Sequence, residues 1–182
     1  MSDPRQNLTE KDAIALLISS GCSPDVIEHC KTVAEYARQI AINIRKSAEK
    51  KGQSIDIDMD AVYLGGLLHD IGRSKTHGIG HAVAGAAIAV ENGLSDKLVN
   101  IIERHIGAGI PKEEAVGLGI PKKDYMPVTI EEKIVAHADN LVFGNKRGTA
   151  DEMVRNLKKK KIDEKIIHRF IELNNEINSM MD

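Results

Sequence analysis

A chain of 182 residues with a formal charge of −2 is long enough to bury a core and carries no net attraction for a polyanion. Trp is absent and the aromatics are Tyr36, Tyr63, Tyr125, Phe143 and Phe170, so an aliphatic core of packed helices is expected and a base-stacking nucleic-acid surface is not. Cys22 and Cys30 lack CxxC spacing, Met1–Glu10 has no signal core, and no run is apolar for long enough to cross a bilayer, which points to a cytoplasmic protein.

In chain order, Thr9 is placed to cap a helix over Glu10–Ser20 that Gly21 stops, and Ser23-Pro24 opens a second, long helix. Val26, Cys30, Val33, Ala37, Ile40 and Ile44 form its apolar stripe, with His29 beside it. After a loop over Gly52–Asp58, a third helix is predicted from Met59 to His69, with Gly72 placed to terminate it and Gly65-Gly66 inside it implying close backbone packing. Further helices are predicted over His81–Asn92, Ser95–His105, Ile130–Phe143, Thr149–Lys161 and Asp163–Met180, and no strand is. The fold class is therefore all-α. Residues 1–182 read as one domain, with a core over 24–142 and C-terminal helices over 149–180.

A short repeat, Gly107-Ala108-Gly109-Ile110-Pro111 echoed by Gly117-Leu118-Gly119-Ile120-Pro121, reads as two similar helix-entry turns, with a lid beside His105 as the functional alternative. Lys158–Lys161 reads as a solvated helix end.

The chemistry centres on His69-Asp70, adjacent at a helix end. Neutral imidazole and carboxylate together suit a divalent cation, which can turn bound water into a nucleophile. Neighbouring residues at a helix end point about 100° apart, so other helices must complete the shell. His29, His81, His105 and Asp139 are the candidates. Asp139 lies in the apolar run Ile134–Val142, where an uncompensated carboxylate would be costly. His77, His137 and His168 read as caps or surface groups, and Cys30 as a small buried hydrophobe.

This order, a lone His, then His-Asp-Ile-Gly-Arg, then spaced His residues and a late Ala-Asp-Asn, resembles the HD-domain superfamily of metal-dependent phosphohydrolases, in its HDIG-type branch. The resemblance runs from about Pro24 to Val142. It implies a helical bundle, four core metal ligands at His29, His69, Asp70 and Asp139, and additional ligands at His81 and His105 in members with paired metals, Asp70 then bridging. The chain departs from the branch that cleaves cyclic dinucleotides, which carries His-His-Glu and then Gly-Tyr-Pro where Arg104-His105-Ile106 and Gly109-Ile110-Pro111 stand here.

What the resemblance implies is a phosphohydrolase or phosphodiesterase acting on a nucleotide or other small phosphoester through one or two divalent ions (Mn, Fe, Co, Ni, Mg or Zn), with Asp70 and Arg73 at the reacting centre, Arg73 as a candidate phosphate clamp and Lys75 and Arg104 as possible helpers. Two alternatives belong to other classes. One is a di-iron oxygenase using four His and two Asp. The other is a nucleotide-binding module without turnover. A homo-oligomer stays open, and neither a membrane nor nucleic acid is expected as a partner.

Overall fold

Reciprocal capping opens the chain: the Thr9 hydroxyl accepts from Asp12 N while Thr9 N donates to the Asp12 carboxylate, and Gly21, at φ 92°, closes α1 (Glu10–Ser20). This computed structural model describes residues 8–182, so the signal-core reading over Met1–Asn7 lies outside it and the rest of that reading, Leu8–Glu10, leads into α1. Ser23 caps α2 (Pro24–Lys50), and Asp58 caps α3 (Met59–Leu68). A 3-10 turn over Ile71–Ser74 leads to α4 (His81–Glu91) and α5 (Asp96–Glu103). Then come α6 (Lys112–Gly117), α7 (Ile130–Asn140), a hairpin of β1 (Val142–Phe143) and β2 (Lys146–Arg147), α8 (Ala150–Lys159) and α9 (Glu164–Met181). The fold is all-α apart from that hairpin.

The long α2 is the spine. Its stripe divides between two apolar clusters: Val33, Ala37, Ile40, Ala41 and Ile44 pack with Ile101, Ile134, Val135, Leu173 and Ile177, while Cys30 and Ala34 pack with Leu17, Leu67, Leu68, Ile71 and Ile102. The C-terminal helix α9 thus shares a core with α2 and α7. Gly66 explains the close seat of α3 on α2, because a Cβ there would lie 2.7 Å from Ala34 Cα. Gly65 does the same against Ile101.

The structure departs from the sequence reading at several element boundaries. Helix α3 ends at Leu68, before His69, and Gly72 is not its terminator. Gly72 sits in the 3-10 turn with its backbone against α4, where any Cβ would collide with the His81 carbonyl oxygen. Helix α7 stops at Asn140, and the apolar residues after it turn into the hairpin, whose register pairs Val142 with Arg147 and Phe143 with Lys146. Only the first copy of the Gly-rich repeat starts a helix, α6. The second copy runs on as an irregular segment, and Tyr125 N donates to Ile110 O at 2.9 Å, closing a small third cluster of Ile110, Ala115, Ile120 and Tyr125.

Candidate metal centre

Two of the site histidines take their pose from helix endings. The last four carbonyls of a helix have no intrahelical donor. His69, just past α3, donates Nδ1–H to Gly66 O at 2.7 Å, and His105, just past α5, donates to Ile102 O at 2.7 Å. His81, first residue of α4, donates to Gly78 O at 2.8 Å, and His29, on α2, donates to Gly144 O at the hairpin tip at 2.5 Å. All four rings therefore carry a proton on Nδ1 and turn Nε2 toward the centre, the orientation a metal-ligating imidazole requires.

Those four Nε2 atoms converge on Asp70 and Asp139. On one side, Asp139 Oδ1 lies 3.0 Å from His29 Nε2 and 3.4 Å from His69 Nε2, while Asp70 Oδ2 lies 3.8 and 3.6 Å from the same two atoms. On the other side, Asp70 Oδ1 lies 3.0 Å from His81 Nε2 and 3.5 Å from His105 Nε2. Asp70 thus stands between two half-sites, one oxygen turned to each. All six residues named from the sequence are brought together.

The donor set fits a cation by its own hydrogen-bond accounting. His69 Nε2 and Asp70 Oδ1 are buried without a hydrogen-bond partner, a condition that is costly unless something else satisfies them. His81 Nε2 and His105 Nε2 face each other at 3.0 Å, which sets lone pair against lone pair unless a proton or metal ion lies between. Two groups, His29 with His69 and Asp139, and His69 with Asp70 and His105, are compact enough to hold an ion.

The protein's own charges are tightly coupled here. Burial opposes ionisation of Asp70, but the charge on His69 and the imidazoles of His105 and His81 outweigh it and hold the carboxyl far below the usual range. Burial likewise opposes the charge on Asp139, and His69 and His29 overcome it, so that carboxyl too lies well below its ordinary value. Burial resists protonation of His69, yet Asp70, Cys30 and Asp139 raise it well above an ordinary imidazole. His105 is pushed down by burial.

The remaining candidates divide. Arg73 donates Nε–H to Asp70 Oδ2 at 2.5 Å, so it orients the central carboxylate directly. With Asp25, Val26, His29, Asp70, His77 and Gly144 it lines a cavity of about 300 Å³ at the mouth of the centre. His77, read as a surface group, is exposed but stands at that mouth. Arg104 does not help there: its Nη1 binds both oxygens of buried Glu132, at 3.0 and 3.1 Å. Lys75 is exposed. His137, also read as a cap or surface group, is instead 2% exposed within α7, and burial pushes its pKa down to about 4. His168 is exposed and pairs with Glu172, as the surface reading expected.

A mainly helical scaffold that gathers four imidazoles and two carboxylates presents a donor set that fits a divalent metal. The chain belongs to the HD-domain family, whose pattern it matches over residues 26–144. It is 51% identical over 166 residues to an uncharacterised protein of Methanocaldococcus jannaschii, covering 91% of this chain and 95% of that one. It is 44% identical over 167 residues to a tRNA (cytidine(56)-2'-O)-methyltransferase of Thermoplasma volcanium, covering 89% of this chain and 46% of that protein, so it spans less than half of that relative. Among solved structures, the HD domain of the L. monocytogenes phosphodiesterase PgpH in complex with cyclic-di-AMP superposes with a TM-score of 0.52 at 16% identity over 93% of each chain, a likeness of fold.

Proposed function

We propose that this HD domain is a metal-dependent phosphohydrolase acting on a nucleotide or other small phosphoester, with His29, His69, Asp70 and Asp139 holding one divalent ion and His81 and His105, with Asp70 shared, holding a second. The observation that carries the reading is the convergence of four Nε2 atoms and two carboxylates around a buried Asp70 oxygen and a buried His69 nitrogen that have no hydrogen-bond partner. Bound metal supplies a Lewis acid for the phosphoryl oxygen and lowers the pKa of the attacking water.

The chain's own residues supply position and charge. Four backbone carbonyls fix the ring tautomers, Asp70 is turned by Arg73, and the low-lying carboxyls stay ionised at neutral pH. Arg73 spends Nε on Asp70, which leaves its Nη groups as donors to a phosphate oxygen in the mouth cavity. His77 at the same mouth is placed to pass a proton to a departing oxygen. A nucleotide-like substrate is favoured by the relatives: the PgpH HD domain binds cyclic-di-AMP, and the Thermoplasma relative is named for a tRNA. We read the chain as one HD-type unit extended by α8 and α9, since α9 shares the α2–α7 core.

The test is elemental analysis of the purified protein joined to a phosphatase and phosphodiesterase panel with Mn, Co, Mg, Ni and Fe. Metal-stimulated release from at least one nucleotide-like compound, abolished in Asp70→Ala with the helical content intact, is the expected result. No release with any metal refutes it and leaves nucleotide binding without turnover. The set of four His and two Asp favours a second reading, a di-iron oxygenase, which iron content and oxygen uptake separate from the first.

A further inference from the structure

Three of the four site histidines are held by a carbonyl three residues upstream, inside their own segment. His29 is different. Its Nδ1–H donates to Gly144 O, 115 residues away. The ring that completes the Asp139 side of the centre is therefore held by another part of the chain, the tip of the β1–β2 hairpin.

The hairpin is built to present that carbonyl. Val142 is buried in the core, and Gly148 N donates to Leu141 O at 2.7 Å at its base. Its two-residue loop, Gly144-Asn145, has positive φ, 64°, at the glycine alone, the pattern of a type II′ turn. The Arg147 guanidinium lies over the Tyr36 ring, 4.6 Å from its centroid. Tyr36 is two helical turns beyond His29 on the same face of α2, so the stack fastens the hairpin base about 10 Å along the helix from the carbonyl contact.

We infer that the hairpin Val142–Arg147 is a positioning element for His29: the Gly144 carbonyl selects the tautomer that leaves Nε2 as a donor, and the Arg147–Tyr36 stack holds the tip in place. This rests on reading His29 as a metal ligand. It makes the conformation of Gly144 a determinant of affinity on the His29–Asp139 side of the centre, and not on the His81–His105 side, whose rings are held locally.

Gly144→Ala isolates the effect, because the added methyl meets nothing within 4 Å and acts only through a backbone conformation that side chains disfavour. Mn titrated into the full chain by calorimetry should show one class of site weakened about tenfold, the scale of losing the hydrogen-bond partner that orients a ligating imidazole. Arg147→Ala should weaken the same class about two- to fivefold, the worth of an exposed stack. Lys146→Ala should change nothing. In a His29→Ala background, Gly144→Ala should have no further effect. Nitrogen NMR of the imidazoles should show His29 protonated on Nδ1 in the native chain and mixed between tautomers in Gly144→Ala. Native affinity in Gly144→Ala, or an equal loss with His29 already removed, overturns the inference. A native chain that binds no metal overturns the metal reading instead; the tautomer spectrum then decides, and an unchanged His29 signal in Gly144→Ala sinks the positioning role.

Discussion

Replacing Gly72 with alanine is the sharpest probe of how the centre is assembled. Gly72 and Gly85 face each other where the 3-10 turn meets α4, and a Cβ on Gly72 would collide with the His81 carbonyl oxygen while lying 2.5 Å from Gly85 N. Both obstacles are backbone, which cannot rotate aside. Restoring an ordinary separation of about 3.5 Å to Gly85 N alone requires a retreat of about 1 Å. Overpacking of a filled interior costs about 1–3 kcal/mol, and a backbone obstacle places this substitution at the upper end. At about 2–4 °C per kcal/mol for a chain of this size, Tm should fall by about 6–12 °C. The same retreat separates Asp70 Oδ1 from His81 Nε2, now 3.0 Å apart, so metal retained at the His81–His105 side should drop while the His29–Asp139 side persists. Calorimetric melting and metal-to-protein ratios measure both effects. Gly80→Ala is the control, since its Cβ would meet nothing within 4 Å and its φ is an ordinary −74°. A Gly72→Ala protein with native Tm and native metal ratio would refute the reasoning.

Two further outcomes are expected. Chelation of the metal should lower Tm of the native chain, because buried lone pairs and ionised carboxylates lose their counter-ion, and it should leave Tm of Asp70→Ala unchanged; equal shifts in both proteins would argue against a bound ion. Glu114, on α6, accepts from both Nη groups of Arg169 on α9 at 2.6 and 2.7 Å, and these hydrogen bonds outweigh the opposing effect of burial and hold its carboxyl below the ordinary value. A folded-state pKa lowered in this way contributes stability above the unfolded value, about 4.3, that is lost as pH falls through the folded one. Glu114→Gln should therefore be less stable at pH 7 by about 1 kcal/mol, with the gap closing below pH 4; a gap independent of pH in denaturant titrations would exclude the ion pair as its source.

Much of the centre was legible because its donors are chemically expensive residues in apolar helices. His69-Asp70 and Asp139 had no other good reason to be where they are. The starts of the first two helices followed from caps at Thr9 and Ser23, which act locally and so can be read locally. What stayed hidden depends on distant partners. Gly72 looked like a helix stop, since nothing in a linear reading reveals that α4 lies against it. Arg104 looked available for phosphate until Glu132, 28 residues on, claimed it. His137 looked like a cap or surface group because its burial depends on what packs against α7, which a linear reading does not show. The hairpin was missed because Val142 and Phe143 continue the apolar run of α7, and two-residue strands carry no periodicity. The i−3 carbonyl bonds were in principle readable, since His69 and His105 each stand just past a helix whose last carbonyls need donors.

The placement of one carboxylate between two imidazole pairs has a thermodynamic corollary. Asp70 has a single terminal torsion, and the angle that aims Oδ2 at His29 and His69 is the angle that aims Oδ1 at His81 and His105. Arg73 already holds that rotor through Oδ2, so an ion on either side meets a carboxylate aimed in advance and bears little of the entropy of ordering it. Were two cations bound, their repulsion would act against this gain, and the shared negative charge between them would offset that repulsion.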